Sequence, residues 1–231
     1  VDFPSLFMYK TDYAFQTVAM TLMVLGAIGF WPLSEIKLYI EAKRRKEKYE
    51  FSMFSKILVS MHLGIWIVSA IIVYIVEFNG FLANPDVSFI QGVFHSLFMS
   101  LTTRNAGFAT MSMNDMSGTI QVLFGILMFI GSSPNSAGGG IRTTTLLITV
   151  LGIISFSKGR EQVVIKKKSI KFETVYKSLM VVIGAGVLIM VGLLILTISE
   201  ASLAPTYGVK ALFFELSSAF GTTGLSLGVT P

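Results

Sequence analysis

Long apolar runs alternate with short polar stretches along the chain, and three of these runs are at least 20 residues long. They cover residues 13 to 33, 53 to 78 and 174 to 198. An apolar helix of about 20 residues crosses the ~30 Å hydrocarbon core of a membrane. The pattern therefore predicts three membrane-spanning helices, the first of which carries Gly26, Gly29 and Pro32 near its inner end.

Two other apolar runs, residues 88 to 101 and 209 to 220, contain only about a dozen residues each and are too short to cross. Each is predicted to be a half-helix that enters the membrane and returns through an irregular loop. Irregular backbone at this depth needs protein or a water-filled cavity around it, because unsatisfied peptide groups are costly in lipid. The two loops are therefore expected to line an aqueous pathway.

Residues 117 to 156 form a longer segment, which as one helix would measure ~60 Å, or two crossings. The segment is expected to begin on the outer side, after the first polar loop, and to end on the inner side at Lys158. The number of crossings between these two points must therefore be odd. Residues 131 to 145 contain a proline, several glycines and a series of Ser, Thr, Asn and Arg side chains that disfavour helix and lipid contact. We predict one crossing, interrupted by a loop that faces the interior of the bundle.

The polar loops repeat at an offset of 117 residues, which superposes Gly107 on Gly224 and Ser100 on Ser217. The same offset carries the run 57 to 76 onto 174 to 193. A long period that combines a spanning helix, a half-helix and a glycine loop indicates a repeated pore rather than an enzyme.

A dehydrated monovalent cation needs several oxygen ligands, and backbone carbonyls supply them without a fixed charge that would hold the ion too tightly. Glycine loops of this kind can provide such carbonyls. Glycine reaches backbone angles that other residues disfavour, and the carbonyl end of a half-helix attracts cations. The predicted filter positions are Asn105, Ala106, Gly107, Phe108, Thr222, Thr223, Gly224 and Leu225.

Composition supports a membrane protein, since 53% of the 231 residues are hydrophobic and only 13% are charged. The net charge is +5, but 14 of the 18 basic residues lie in the loops 37–56 and 158–177. Clustered basic loops mark the cytoplasmic side, so the filter loops are expected to face outside. Both basic loops could contact lipid headgroups or an acidic partner, and nucleic acid is not expected.

The remaining polar residues give no sign of catalysis. Arg104 is expected to form an ion pair with Glu215 or another acidic group. Arg142 is either a functional or paired charge at membrane depth, or it extends to water from the inner end. His62 and His95 have no companions at ligand spacing and are interpreted as packing or hydrogen-bonding residues. No transition-metal site and no enzyme activity are predicted.

Three motifs resemble the Trk/Ktr/HKT superfamily of potassium transporters, and within it the bacterial Ktr branch. They are residues 102–108, residues 220–228 and, most specifically, the sequence SAGGGIRTTT at 136–145. The third is similar to the family's intramembrane gating loop. The gating residues that this implies are Ser136, Ala137, Gly138, Gly139, Gly140, Arg142 and Thr143.

The resemblance implies an all-α integral membrane fold, with repeated helix, re-entrant pore loop and helix units around a pseudo-fourfold pore. It also implies a homodimer on a cytoplasmic ring of nucleotide-binding subunits, with potassium as the transported ion and no bound cofactor. Residues 1–50 correspond to the inner helix of a second repeat, 51–171 to a third repeat and 172–231 to part of a fourth. The chain is thus expected to be a fragment, without the first two filters and the last inner helix.

The leading hypothesis from the sequence is potassium translocation across the plasma membrane. One alternative is a secondary transporter of another small solute, which would use broken helices at the membrane midplane. A non-transporting membrane scaffold is a further alternative, although it gives two repeated polar loops no purpose.

Overall fold

A computed structural model describes residues 6–78, 80–83, 87–160, 162–165, 168–199 and 203–229. Within these ranges the chain is predominantly helical, as the sequence predicted. The α-helices are α1 (Tyr13–Ile28), α2 (Phe30–Arg44), α3 (Met53–Glu77), α4 (Phe89–Thr102), α5 (Gly118–Phe129), α6 (Thr143–Ser157), α7 (Phe172–Ser199) and α8 (Leu203–Phe220).

Helices α3 and α7 are long and apolar enough to cross a membrane, which confirms two of the predicted spans. Each is followed by a short apolar helix and a glycine loop, so the 117-residue repeat is also a repeat of element order. Helix α8 begins earlier than predicted, but Gly208 has non-helical angles of +79° and 157°. The regular part of α8 after this kink corresponds to the predicted half-helix.

The apolar core lies between α1, α4, α5 and α8, which surround the two glycine loops. Its fully buried members include Phe98, Met99, Phe124 and Phe214. By contrast, α7 exposes large apolar side chains along most of its length. An apolar exterior of this extent is the surface expected for contact with lipid or other membrane helices.

The first predicted span, residues 13 to 33, is not one continuous helix. Helix α1 ends at Ile28, and α2 leaves it at an angle of 105°. Gly29 between them has a φ of +93°, a conformation that glycine adopts at low cost. The helix predicted over 13–33 is therefore a bent pair, which is long and apolar enough for one span only when the two helices are taken together, and a neighbouring segment lies against the bend.

That neighbour is the non-helical stretch between α5 and α6, residues 130–142, which we call the gating segment after the role that the sequence analysis predicts for it. It donates from Ser133 N to the Ala27 carbonyl at 3.1 Å and from Ala137 N to the Gly26 carbonyl at 3.0 Å. In return, Phe30 N donates to the Asn135 carbonyl at 2.9 Å. The two helix breaks thus satisfy each other's free backbone groups.

The predicted interruption of residues 117 to 156 is confirmed, with narrower limits than 131 to 145. Helix α5 ends at Phe129, and α6 already begins at Thr143, so the last three predicted loop residues are helical.

The start of α5 is fixed by Glu77 at the end of α3, whose Oε1 accepts from Ser117 N at 2.8 Å.

The second basic loop contains a short antiparallel hairpin that the sequence analysis did not predict. Strand β1 (Val163–Ile165) pairs with β2 (Lys168–Ile170), with Val163 opposite Ile170. Two lysines of the basic triplet, Lys166 and Lys167, lie outside the described residues.

The packing at Gly29 predicts that Gly29→Ala destabilises the protein by roughly 1–3 kcal/mol, because it combines a strained φ with a steric clash. A Cβ at this position would lie 2.5 Å from the Pro134 carbonyl oxygen. The midpoint of thermal denaturation in detergent measures the effect.

Gly184→Ala is the matched control, since a Cβ at this α7 position has nothing within 4 Å. It should leave the midpoint unchanged or raise it. Equal midpoints for the Gly29→Ala variant and the wild type would contradict the docking of the gating segment on the bend.

Candidate ion filter and gating segment

The first glycine loop, residues 103–110 and here called loop 1, continues directly from α4. Gly107 has a φ of +69°. Two threonine hydroxyls hold the loop: Thr102 Oγ1 donates to the Phe108 carbonyl and Thr103 Oγ1 to the Ser100 carbonyl, both at 2.7 Å. These bonds stabilise an irregular backbone that makes few regular hydrogen bonds of its own.

The second glycine loop, residues 221–228 and here called loop 2, has the same position after α8. Gly224 has a φ of +94°, and Thr222 has a φ of +50°, which is rare for a threonine. Gly224 N donates to Ser218 Oγ at 3.1 Å. Both predicted filter glycines therefore lie in the left-handed region that the sequence analysis expected of them.

The two loops contact each other at these glycines. Thr223 Oγ1 donates to the Thr103 carbonyl at 3.3 Å. A Cβ at Gly107 would come within 2.1 Å of the Thr223 carbonyl oxygen, so the approach of the loops requires glycine. The structure thus brings together candidate filter positions that are 117 residues apart in sequence.

An open cavity of about 420 Å³ lies beside loop 2. The residues that line it come from α8 and from the loop itself. They are Glu215, Ser218, Ala219, Thr222, Thr223, Gly224, Leu225 and Ser226.

The gating segment is bound to loop 2 through backbone hydrogen bonds. Gly139 N donates to the Gly221 carbonyl at 3.0 Å and to Thr222 Oγ1 at 2.9 Å. Gly140 N donates to the Phe220 carbonyl at 3.2 Å. A Cβ at Gly139 would lie 2.9 Å from Thr222 Oγ1, so this contact also depends on a glycine.

The gating segment is bound to loop 1 as well, through Arg104. Ser132 Oγ donates to the Arg104 carbonyl, and Arg104 Nη1 donates to the Ile130 carbonyl, both at 2.6 Å. A Cβ at Gly138 would lie 2.6 Å from the Arg104 carbonyl oxygen. The segment is therefore held between the two loops.

Arg104 is completely buried, and among the residues that the structure describes it forms no ion pair with Glu215 or another acidic group. Within the described residues, its Nε and Nη2 have no hydrogen-bond partner. The Glu215 carboxylate instead accepts from Ser226 and Leu227 of loop 2. The expectation was wrong because the guanidinium reaches the gating segment, whereas the carboxylate holds its own loop.

Arg142 stabilises the gating segment from within. Its Nη1 donates to the Gly138 carbonyl at 2.5 Å and is 3.5 Å from the Ser133 carbonyl. Ser136 Oγ also donates to the Ser133 carbonyl, at 2.5 Å. A guanidinium bonded to local carbonyls explains how a positive charge is tolerated in a segment that lies between apolar helices.

The other candidate filter residues make contacts of several kinds. Asn105 Nδ2 donates to the Met23 carbonyl of α1 at 3.1 Å, and Ala106 packs against the apolar core. The Phe108 side chain is 51% exposed, whereas that of Leu225 is 3% exposed. Asn105 thus connects loop 1 to α1, a role that its sequence position did not indicate.

Sequence reasoning missed two contacts of the candidate site. The docking of the gating segment on Gly26 and Gly29 joins parts of the chain about 110 residues apart, and the only local signal was the pair of glycines. The anchoring of loop 2 by Glu215 was missed because this residue was assigned to Arg104.

Comparisons with known proteins relate the chain to a family of cation transport proteins. The family model TrkH, described as a cation transport protein, matches residues 2–231. The chain is 38% identical to the Ktr system potassium uptake protein D of Bacillus subtilis and 31% identical to the Ktr system potassium uptake protein B of the same organism, covering 98% of its own length in each case. It is 30% identical to the potassium/sodium uptake protein NtpJ of Enterococcus hirae.

A solved structure, the potassium transporter TrkH from Vibrio parahaemolyticus, has a similar fold with a TM-score of 0.59 at 17% identity. The matched region includes 97% of this chain and 47% of the chain of that transporter. Likewise, the chain spans about half the length of the curated relatives that it matches, 48% for both Bacillus proteins.

The contact between the loops predicts that Gly107→Ala destabilises the protein more than Gly224→Ala. Both substitutions force alanine into positive φ, but only a Cβ at Gly107 meets another atom. A Cβ at Gly224 has nothing within 4 Å. We expect a difference of about 1 kcal/mol or more in the free energy of unfolding, measured by denaturation in detergent.

The comparison controls for backbone strain, because both glycines have similar φ values. A Gly224→Ala variant as unstable as Gly107→Ala would mean that strain alone determines the loss. It would contradict the close approach of the loops.

Proposed function

The chain belongs to the TrkH family of cation transport proteins, and from this premise we propose that it forms part of a pathway for potassium ions across the cytoplasmic membrane. One observation carries the proposal: two loops with positive-φ glycines at one sequence offset contact each other and share a gating segment. The relatives named as potassium uptake proteins support potassium as the transported ion. Transport through such a pathway requires no covalent step, so the protein is not an enzyme and needs no cofactor.

In the proposed filter, backbone carbonyls near Gly107 and Gly224 replace the hydration shell of the ion. The two loops provide suitable backbone because their glycines adopt angles that other residues disfavour. Thr103 and Thr223 hold the loops together without adding charge. A neutral oxygen-lined site binds a monovalent cation weakly enough to release it.

The proposed gate is the gating segment, which is connected to both loops and to the bend between α1 and α2. Its bonds to Gly221 and Thr222 are few and do not form part of a regular helix or sheet. Such a segment can detach at a lower cost than a continuous helix. Its displacement would open the pathway, and its return would restore the bonds.

The proposed arrangement in the membrane follows from charge and family. The basic loops 37–56 and 158–177 face the cytoplasm, where they contact lipid headgroups and a regulatory ring of nucleotide-binding subunits. The filter loops face outside. Two membrane subunits form a homodimer, and in each the divisions 1–50, 51–171 and 172–231 contribute to a pseudo-fourfold pore.

The observed contacts favour this function over transport of an anionic solute. A transporter of that kind would present basic side chains to its substrate. Here the guanidinium groups of Arg104 and Arg142 donate to backbone carbonyls of the gating segment. They stabilise the segment rather than face an open site.

The filter assignment predicts that Gly224→Ser lowers the preference for potassium over sodium. A side chain fits at this position, but φ near +94° is strained for serine, so the backbone carbonyls change direction. We expect a loss of about tenfold in the permeability ratio, equivalent to about 1.4 kcal/mol. Ion flux into liposomes that contain the full-length protein measures it.

Gly184→Ser in α7 is the control, because this glycine also has open space but lies far from the loops in sequence. It should keep the wild-type ratio. An unchanged ratio in the Gly224→Ser variant would refute the filter assignment.

The gate assignment predicts that deletion of residues 136 to 140 raises potassium flux and removes its dependence on the cytoplasmic partner. The deletion removes the bonds that Gly139 donates to loop 2 and the bond that Gly140 donates to the Phe220 carbonyl at the end of α8. Flux is compared with and without the regulatory subunits in the same liposomes.

Ser136→Ala provides a milder control, since it removes only a bond within the segment. We expect its flux to remain regulated. A deletion variant with wild-type, regulated flux would show that the segment is not the gate.

A further inference from the structure

Among the described residues that line the cavity beside loop 2, Glu215 is the one that carries a charge. It lies in α8 and is half-buried. Its Oε1 accepts two hydrogen bonds, from Ser226 Oγ at 2.7 Å and from Leu227 N at 2.8 Å. The carboxylate is thus bound to the part of loop 2 that follows Gly224.

These bonds fix one side of Gly224, while the other side of the loop is fixed separately. Gly224 N donates to Ser218 Oγ, which also belongs to α8. Hydrogen bonds to a carboxylate are stronger than those between neutral groups. Loop 2 is therefore attached to α8 on both sides of its glycine, and the attachment after the glycine depends on Glu215.

In the 117-residue repeat, loop 1 is also bonded to its preceding half-helix, but through a different side chain. Leu227 corresponds to Thr110, whose Oγ1 lies 3.2 Å from His95 Nδ1. Glu215 corresponds to Phe98, which is fully buried and apolar. The same loop position is anchored to the preceding half-helix in both copies, by a histidine in one and by a carboxylate in the other.

An anchor three residues after the filter glycine limits how far the carbonyls around that glycine can move. Removal of the acceptor would leave Leu227 N, in a residue whose side chain is 5% exposed, without its partner. The loop would then relax toward other conformations. A filter that changes its oxygen positions loses discrimination between ions of different size.

We propose that Glu215 is a positioning residue for ion selectivity, which acts by holding loop 2 through Ser226 and Leu227 and does not itself bind the ion. This inference rests on the proposed function of the loop as a filter. It assigns to the carboxylate a role that is specific to one of the two loops.

The test compares Glu215→Ala with Glu215→Gln in the full-length protein in liposomes. Glutamine keeps an oxygen that can accept both bonds but removes the charge, whereas alanine removes both. We expect Glu215→Ala to lower the potassium-to-sodium permeability ratio by about tenfold. Glu215→Gln should stay within about threefold of the wild type, since the acceptor geometry is kept.

Ser226→Ala removes one of the two donors and should give an intermediate ratio. Hydrogen–deuterium exchange of the amides of residues 225–228 supplies a readout that does not depend on transport. Exchange should be faster in Glu215→Ala and unchanged in Glu215→Gln. Thr17→Ala, which removes only a bond within α1, is the control for both measurements.

The measured permeability ratios distinguish failure of this inference from failure of the proposed function. A selective wild type with an equally selective Glu215→Ala variant overturns the inference and leaves the proposed function intact. A Glu215→Gln variant as unselective as Glu215→Ala shows that charge matters rather than position, which also overturns it. A wild type that does not discriminate potassium from sodium overturns the proposed function, and the inference with it.

Discussion

The structure depends on the need of interrupted helices to satisfy their backbone groups inside an apolar bundle. Free carbonyls and amides have no water to bond with there. The bend at Gly29 exposes carbonyls of α1, and the gating segment supplies amides to them. The same segment donates from Gly139 to loop 2 and from Gly140 to the end of α8. Each interruption is stable because another lies against it.

This mutual dependence links the parts of the proposed pathway. The gating segment contacts both glycine loops, and the loops contact each other at Gly107 and Thr223. Arg104 adds a buried charge that bonds to the Ile130 carbonyl, so loop 1 and the segment are joined twice. Movement of the gating segment would therefore break or change the bonds that hold the loops of the proposed filter. The proposed gate and the proposed filter are parts of one hydrogen-bonded unit.

Much of the fold was predictable from the sequence, because length and composition alone distinguish a spanning run from a half-helix. Helices α3, α4 and α7 and the break after α5 were predicted close to their observed limits. The positive φ of Gly107 and Gly224 was also expected from the loop pattern. These features depend on local propensity and on hydrophobic length.

The remaining features depend on contacts between distant parts of the chain, and no local pattern contains them. The bend at Gly29 lies against Pro134 and its neighbours, and the Glu215 carboxylate bonds to loop 2 instead of pairing with Arg104. The most direct test of the account is the anomalous signal of rubidium in crystals of the full-length protein. The account predicts a peak among the backbone carbonyls near Gly107 and Gly224. Rubidium bound elsewhere, with no peak at these loops, would contradict it.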